Sequence, residues 1–191
     1  MNKEKENIYN LPNLLSFYRL ISTPVLAYLV YIGEEKLFFY WFLFNMFTDV
    51  LDGFIARRFN LKTRMGAKLD SLADSFMYLL AFWAMYRLKW DELQFYKISF
   101  FLLVFYYFFI DFFSLIKFKE ISRLHLFSAK TAGVIQGIFF LVLFTSGMND
   151  WLYKLMFTVS TFSFIENLYF LIKLNQMQSN LKGIFWHKKF K

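Results

Sequence analysis

The chain has 191 residues, of which 58% are hydrophobic, and its mean hydropathy is +0.39. This composition is too apolar for an ordinary soluble domain, and the lack of cysteine excludes disulfides and thiolate metal sites. The formal net charge is +8, but the basic residues cluster at the ends of apolar runs, which argues against a nucleic-acid-binding face. We therefore expect an all-α polytopic membrane protein, with residues 1–191 forming a single domain.

Six apolar segments follow one another, each long enough to cross a bilayer or nearly so. In chain order they cover residues 14–32, 37–57, 66–86, 95–116, 127–146 and 151–174. Residues 1–10 are polar with both charge signs, which is not the pattern of a signal peptide. The first helix is expected to follow Pro12, with Asn13 or Ser16 as its N-cap. The prediction is a six-transmembrane-helix bundle with a cytosol-facing polar cavity, an N-terminal cytosolic segment (1–12) and a C-terminal tail (175–191).

Lysine and arginine are distributed unequally between the two ends of these segments. One side carries few basic residues, among them Lys36, Arg87 and Lys89, whereas the other carries the basic clusters and both termini. Because basic loops remain on the cytosolic side of a membrane, we predict that this second side is cytosolic.

Four carboxylates interrupt the second and third segments: Asp49, Asp52, Asp70 and Asp74. An ionisable group at membrane depth is costly, so each is a functional candidate. Spacings of three and four residues place each pair on one helix face. The pairs are nearly palindromic about residue 61, so a turn there would bring Asp49 level with Asp74. It would also bring Asp52 level with Asp70, in a cavity open on the side of the turn.

Such a carboxylate cluster requires compensating positive charge. Oxygen donors favour Mg²⁺ or Mn²⁺, and shared carboxylates can hold two ions about 3.5–4 Å apart. Gly53, Ala56 and Gly66 leave space for a ligand or an opposing backbone, and Arg57 offers a fork that matches phosphate oxygens. The set predicts a diphosphate–metal site. The structural alternative is simple ion pairing at the membrane surface with Arg57, Arg58, Lys62 and Arg64.

Several further polar residues have two possible interpretations. Arg19 lies inside the first apolar run and either snorkels to the headgroups or contacts a phosphate in the cavity. Arg123 and Lys130 are candidates for binding an acceptor phosphate at the cytosolic mouth, whereas His125 is more typical of an interfacial residue. Asp111 and Glu166 have two possible roles, namely buried ion pairing and selection of the alcohol.

The C-terminal tail combines aromatic residues with lysines over residues 176–191. This pattern is typical of an interfacial anchor on anionic lipid, although a disordered tail has a similar composition.

The stretch from Asp49 to Asp74 resembles the signature of the CDP-alcohol phosphatidyltransferase family, D-x2-D-G-x2-A-R-x8-G-x3-D-x3-D, at every fixed position. The resemblance implies transfer of a phosphatidyl group from CDP-diacylglycerol to an alcohol with release of CMP, dependence on divalent metal, and a homodimer. It also implies that Asp74 is the general base and that all four aspartates contact the metals. Gly53 and Ala56 would leave room for the cytidine.

The acceptor alcohol is less clearly indicated. The Pro12-Asn13, Arg19 and Pro24 pattern resembles members that make phosphatidylglycerophosphate or cardiolipin, whereas the Asp-Ser-Leu-Ala-Asp run at 70–74 is similar to the serine-using branch. A phosphorylated acceptor needs cations, which Arg19, Arg123 and Lys130 could supply. We therefore expect glycerol 3-phosphate, with serine, inositol and phosphatidylglycerol as alternatives.

Two other classes of protein also place carboxylates in a membrane. An intramembrane prenyltransferase uses Asp-rich diphosphate chemistry, but its two motifs lie far apart in sequence. A cation transporter would need carboxylates along a path to both sides, and the outer halves of the second and third segments have none. A purely structural membrane protein is the third alternative.

Overall fold

The computed structural model describes residues 10–61, 63–119, 124, 126–176 and 183, except for the side chain of Arg64. Within these residues all regular structure is helical, which confirms the all-α prediction. The helices are α1 (Leu11–Ile32), α2 (Glu35–Arg58), α3 (Arg64–Leu88), the short α4 (Trp90–Leu93), a 3₁₀ turn (Gln94–Tyr96), α5 (Lys97–Phe118), α6 (Phe127–Ser146) and α7 (Asp150–Lys173).

The six long helices coincide with the six predicted segments to within about three residues at each end. Among the described residues, four helical stretches are long and apolar enough to cross a membrane, namely Leu11–Ile32, Trp90–Phe118, Phe127–Ser146 and Asp150–Lys173. Helices α2 and α3 are also long enough to cross a membrane, at 24 and 25 residues. They are less hydropathic because they carry the four aspartates. The described helices are those of an integral membrane protein.

The predicted cap of α1 was wrong. The helix begins at Leu11, and its N-cap is Asn10, whose Oδ1 accepts a hydrogen bond from the Asn13 backbone N–H at 3.0 Å. Asn13 and Ser16 lie inside the helix with buried side chains. Asn10 can cap because Pro12 occupies the first turn, where a missing backbone N–H costs nothing.

The chain divides into two compact units, Met1–Trp90 and Asp91–Lys191. In the first unit, α1 packs against both α2 and α3, while α2 and α3 make little direct contact. An ion pair of 2.7 Å between Lys89 Nζ and Glu35 Oε1 joins the end of α3 to the start of α2. The two helices are therefore antiparallel with their ends level, as the palindrome predicted.

The buried face of each of these three helices changes character along its length. Close to the start of α1 and the end of α2, these helices bury polar side chains, whereas farther away they bury residues such as Leu26, Leu29 and Phe38. Ala73, Met77 and other small or apolar residues form the buried face of α3. The polar half thus gathers on the side of the turn.

In the second unit, α7 packs against both α5 and α6. Its apolar core includes Leu126, Phe170 and Leu171. Lys117 Nζ, near the end of α5, donates hydrogen bonds to the backbone carbonyls of Leu171 and Ile172 at 2.8 and 2.6 Å. These carbonyls belong to the last turn of α7 and lack helical partners, so the lysine caps that helix.

Candidate active site

The four predicted aspartates converge on a single side chain from the first helix. Asp49 and Asp52 project from α2, and Asp70 and Asp74 project from α3. Because α1 lies against both helices, the guanidinium of Arg19 lies among all four carboxylates.

The two terminal nitrogens of Arg19 divide the carboxylates into the two predicted levels. Nη1 lies 2.5 Å from Asp49 Oδ1 and 2.9 Å from Asp74 Oδ1. Nη2 lies 2.6 Å from Asp52 Oδ2 and 2.7 Å from Asp70 Oδ1. Each nitrogen therefore bridges one aspartate of α2 to its counterpart on α3. The expected pairing of levels is present, with the arginine between the helices.

Burial differs sharply across this cluster. The Arg19 side chain is 1% exposed and that of Asp52 is 5% exposed, whereas those of Asp49, Asp70 and Asp74 are 44–46% exposed. The guanidinium thus closes the inner side of the cluster, and three carboxylates remain open on the other side. A snorkelling arginine would instead place its charged end at the surface.

Neighbouring polar residues of α1 continue the contact with α2. Ser16 Oγ donates a hydrogen bond to Asp52 Oδ2 at 3.2 Å, and Ser22 Oγ donates to Asn45 Oδ1 at 2.5 Å. Asn45 is fully buried, and its amide also donates to the Trp41 carbonyl at 2.9 Å. Polar partners in an apolar environment fix the register of two helices, so this row positions Arg19 opposite the aspartates.

The mouth of the cluster is built where α1 and α3 begin. The Asn13 amide donates to Thr63 Oγ1 at 3.2 Å, and Thr63 Oγ1 accepts from the Gly66 backbone N–H at 2.9 Å. A Cβ on Gly66 would collide with Asn13 Oδ1 and lie 2.8 Å from Thr63 Oγ1. Gly66 therefore allows the close approach of the two helix ends.

The other residues of the predicted diphosphate set lie on the last turns of α2. Arg57 is exposed, and its guanidinium lies over Gly53, where an added Cβ would be 3.3 Å from Nη1. Ala56 is half-buried. These residues follow Asp52 within about one turn, so a fork-shaped cation and small side chains adjoin the carboxylates.

The remaining candidates belong to the second unit or lie outside the described residues. Lys130 is exposed in the first turn of α6, and Arg123 and His125 lie outside the described residues. Glu166 is 3% exposed and accepts a hydrogen bond from Ser128 Oγ. Asp111 is half-buried on α5 and has bonding partners.

The donor set suits a divalent cation. Asp49, Asp70 and Asp74 each offer a carboxylate oxygen, and these oxygens lie within 4.8 Å of one another. Hard, negatively charged oxygens are the ligands of Mg²⁺ and Mn²⁺, and their exposed sides leave room for one. The fourth aspartate, Asp52, is buried, where it forms an ion pair with Arg19 and accepts a hydrogen bond from Ser16.

Comparison with known proteins identifies a family and several relatives. The family model described as CDP-alcohol phosphatidyltransferase matches residues 9–165. Over 70 residues the chain is 50% identical to a cardiolipin synthase (CMP-forming) / mitochondrial hydrolase fusion protein of Schizosaccharomyces pombe, covering 37% of this chain and 12% of that protein.

Two further relatives carry related names. A CDP-diacylglycerol–glycerol-3-phosphate 3-phosphatidyltransferase of Aquifex aeolicus is 48% identical over 65 residues, which are 34% of this chain and 36% of that protein. A cardiolipin synthase (CMP-forming) of Rattus norvegicus is 44% identical over 70 residues, which are 36% of this chain and 23% of that protein. The chain thus matches well under two thirds of each relative. No solved structure matches it.

Proposed function

The chain belongs to the CDP-alcohol phosphatidyltransferase family, and from this premise we propose that it transfers the phosphatidyl group of CDP-diacylglycerol to an alcohol and releases CMP. The observation that carries this proposal is the cluster of four aspartates with one buried inner side and three exposed carboxylates. Such a cluster can bind a diphosphate only through divalent cations, because the carboxylates and the diphosphate are both negatively charged.

Divalent Mg²⁺ or Mn²⁺, bound by Asp49, Asp70 and Asp74 with Asp52 in support, would neutralise the diphosphate and the departing CMP. Two ions suit the proposal, since carboxylates can be shared between them. In this proposal the exposed Arg57 contacts the phosphate oxygens, and the small residues Gly53 and Ala56 leave room for the cytidine.

Asp74 is the proposed general base. The hydroxyl oxygen of the acceptor attacks the phosphorus that bears the diacylglycerol, and its proton passes to a carboxylate oxygen of Asp74. The bond from that phosphorus to the bridging oxygen breaks, and CMP leaves as an anion. Support comes from the half-exposed position of Asp74, which leaves the carboxylate accessible while Arg19 Nη1 orients it at 2.9 Å.

The proposed acceptor is glycerol 3-phosphate. Relatives named for that substrate and relatives named cardiolipin synthase both support an acceptor that contains glycerol and phosphate. The second group makes phosphatidylglycerol the favoured alternative over serine and inositol. Lys130 and Arg123 remain proposed phosphate contacts, and Arg19 contacts carboxylates instead of lying free for this role.

The proposed orientation places the mouth of the cluster and both termini in the cytosol, where a cytidine nucleotide is released. Exposed apolar side chains follow one another at helical spacing on α1, including Leu14, Ile21, Val25 and Tyr28. They support lateral contact with lipid, from which the acyl chains would enter. A homodimer in the membrane stays a proposal from the family resemblance.

An acceptor panel tests the proposal. Purified protein in detergent receives CDP-diacylglycerol and Mn²⁺ or Mg²⁺, with glycerol 3-phosphate, phosphatidylglycerol, serine or inositol in separate reactions, and CMP and lipid products are measured. We expect equal amounts of CMP and phosphatidylglycerophosphate with glycerol 3-phosphate. Product with only serine or inositol would overturn the acceptor, and no CMP with any alcohol would overturn the reaction.

A further inference from the structure

Arg19 is set apart from the other basic residues described in the first unit. Arg57 and Arg58 are exposed at the end of α2, and Lys89 pairs with one carboxylate at the opposite end of the helices. Arg19 alone among the described residues pairs with all four aspartates, and it is 1% exposed.

We propose that Arg19 is a positioning residue of the active site: a permanent guanidinium on the buried side that fixes the two carboxylate pairs while their exposed sides bind divalent cations. This proposal rests on the proposed function for the identity of the site. It assigns Arg19 to the assembly of the site, in place of contact with substrate phosphate or with lipid headgroups.

The planar guanidinium allows a single arginine to contact all four carboxylates. Its two terminal nitrogens are rigidly separated, and each bridges one aspartate from α2 to one from α3 at 2.5–2.9 Å. The fork therefore sets both the distance between the helices and the depth at which the carboxylates meet. A lysine has one nitrogen and cannot bridge both levels at once.

The charge balance explains why such a residue is needed before metal arrives. Four neighbouring carboxylates repel one another, and one guanidinium changes the formal charge of the cluster from −4 to −3. The remaining charge still attracts cations to the three exposed aspartates. Without the guanidinium, repulsion between the carboxylates would push α2 and α3 apart.

The contacts of Arg19 also argue that it stays in place. Its Nε atom is buried without a hydrogen-bond partner among the described residues. The conformation therefore satisfies the four carboxylates at the expense of one donor. Ser16 and Ser22, which are both buried, hold α1 against α2 through Asp52 and Asn45. An outward movement of the guanidinium would abandon all four ion pairs.

Thermal unfolding with and without metal tests the proposal. Wild type, Arg19→Gln and Arg58→Gln are each heated in detergent with EDTA and with Mn²⁺. We expect Arg19→Gln to lower the Tm in EDTA by at least about 4 °C, and Mn²⁺ to raise the Tm of this variant more than that of wild type, because metal binding then replaces the missing cation. Arg58→Gln removes an equal charge from an exposed position, so it should change neither the Tm in EDTA nor the increase of the Tm with Mn²⁺.

Arg19→Lys keeps the proposal testable if Arg19→Gln does not fold. The lysine variant should have an intermediate Tm in EDTA and an intermediate response to Mn²⁺. A wild-type Tm in EDTA for either variant would overturn the proposal, because the arginine would then not assemble the cluster. An equal decrease of the Tm with and without Mn²⁺ would also overturn the proposal, since it would indicate an ordinary packing role for Arg19.

These measurements use no substrate, so they separate this proposal from the proposed function. If the wild-type protein releases no CMP but Arg19→Gln is rescued by Mn²⁺, the reaction is wrong and the role of Arg19 stands. If CMP is released and Arg19→Gln behaves like wild type in EDTA, the reaction stands and the role of Arg19 is wrong.

Discussion

Nη2 of Arg19 lies 2.6 Å from Oδ2 of Asp52, and both side chains are buried where α1 meets α2. Breaking such a buried pair from one side costs about 3–5 kcal/mol, because a charge is left without compensation. The remaining aspartates share the same guanidinium but keep one side exposed. The structure therefore separates a residue that holds the site together from residues that can bind a ligand.

Replacing Asp74 by Asn should abolish turnover. The amide cannot accept the acceptor's proton, so CMP release in saturating Mn²⁺ should fall by at least about 100-fold. Ser71→Ala is a matched control, because Ser71 is exposed one turn earlier on α3 and bonds only within its helix. It should retain nearly full activity. An active Asp74→Asn enzyme would remove Asp74 as the base.

Gly66→Ala should destabilise the first unit. Alanine would normally favour a helix, but here its Cβ collides with Asn13 and should cost about 1–3 kcal/mol. Gly53→Ala is the control, since its Cβ meets only the flexible end of Arg57 at 3.3 Å. Unfolding in denaturant should therefore shift much more for Gly66→Ala. Equal shifts for the two variants would contradict the close approach of α1 and α3.

Asn45 and Ser22 should be energetically coupled. Their hydrogen bond of 2.5 Å joins α1 to α2, and both side chains are buried. A double-mutant cycle of Ser22→Ala and Asn45→Ala should give a coupling of about 0.5–2 kcal/mol in thermal unfolding. The same cycle with Thr23→Ala, whose hydroxyl bonds to the Arg19 carbonyl within α1, should give none.

A crosslink can test the register of α2 against α3 at the end far from the aspartates. The chain has no cysteine, so Glu35→Cys with Lys89→Cys supplies the only thiols. Because the native side chains meet at 2.7 Å, a short bis-maleimide should join them efficiently. Phe47→Cys with Lys89→Cys is the control, since Phe47 lies twelve residues farther along α2. Crosslinking of the control pair alone would mean that the helices are out of register.

The sequence predicted the helices and the grouping of the aspartates well. Long apolar runs set the helix limits, and the near palindrome about residue 61 fixed which aspartates share a level. The fourth segment was predicted to begin at residue 95, whereas helical structure resumes at Trp90. Asp91 and Glu92 fall within the short α4, where acidic residues suit the first turn of a helix.

The position of Arg19 could not be predicted, because a single arginine in an apolar run does not reveal its partners. Nor does helical periodicity show that α1 packs against both α2 and α3. One signal was available in the sequence: Asn13, Ser16, Arg19 and Ser22 recur every three residues, so each lies close to the next and together they form a polar strip along the helix. A polar strip within a membrane helix requires partners, and the only dense set of them is the aspartate cluster.

Metal-dependent CMP release is the most direct test of the central claim that the aspartate cluster is a cation-assisted phosphatidyltransferase site. The wild-type protein is first stripped with EDTA, then supplied with CDP-diacylglycerol and glycerol 3-phosphate, and titrated with Mn²⁺ while CMP is measured. We predict no CMP without metal and full recovery as Mn²⁺ is added. CMP release that is equally fast in EDTA, or absent at every Mn²⁺ concentration, would contradict the account.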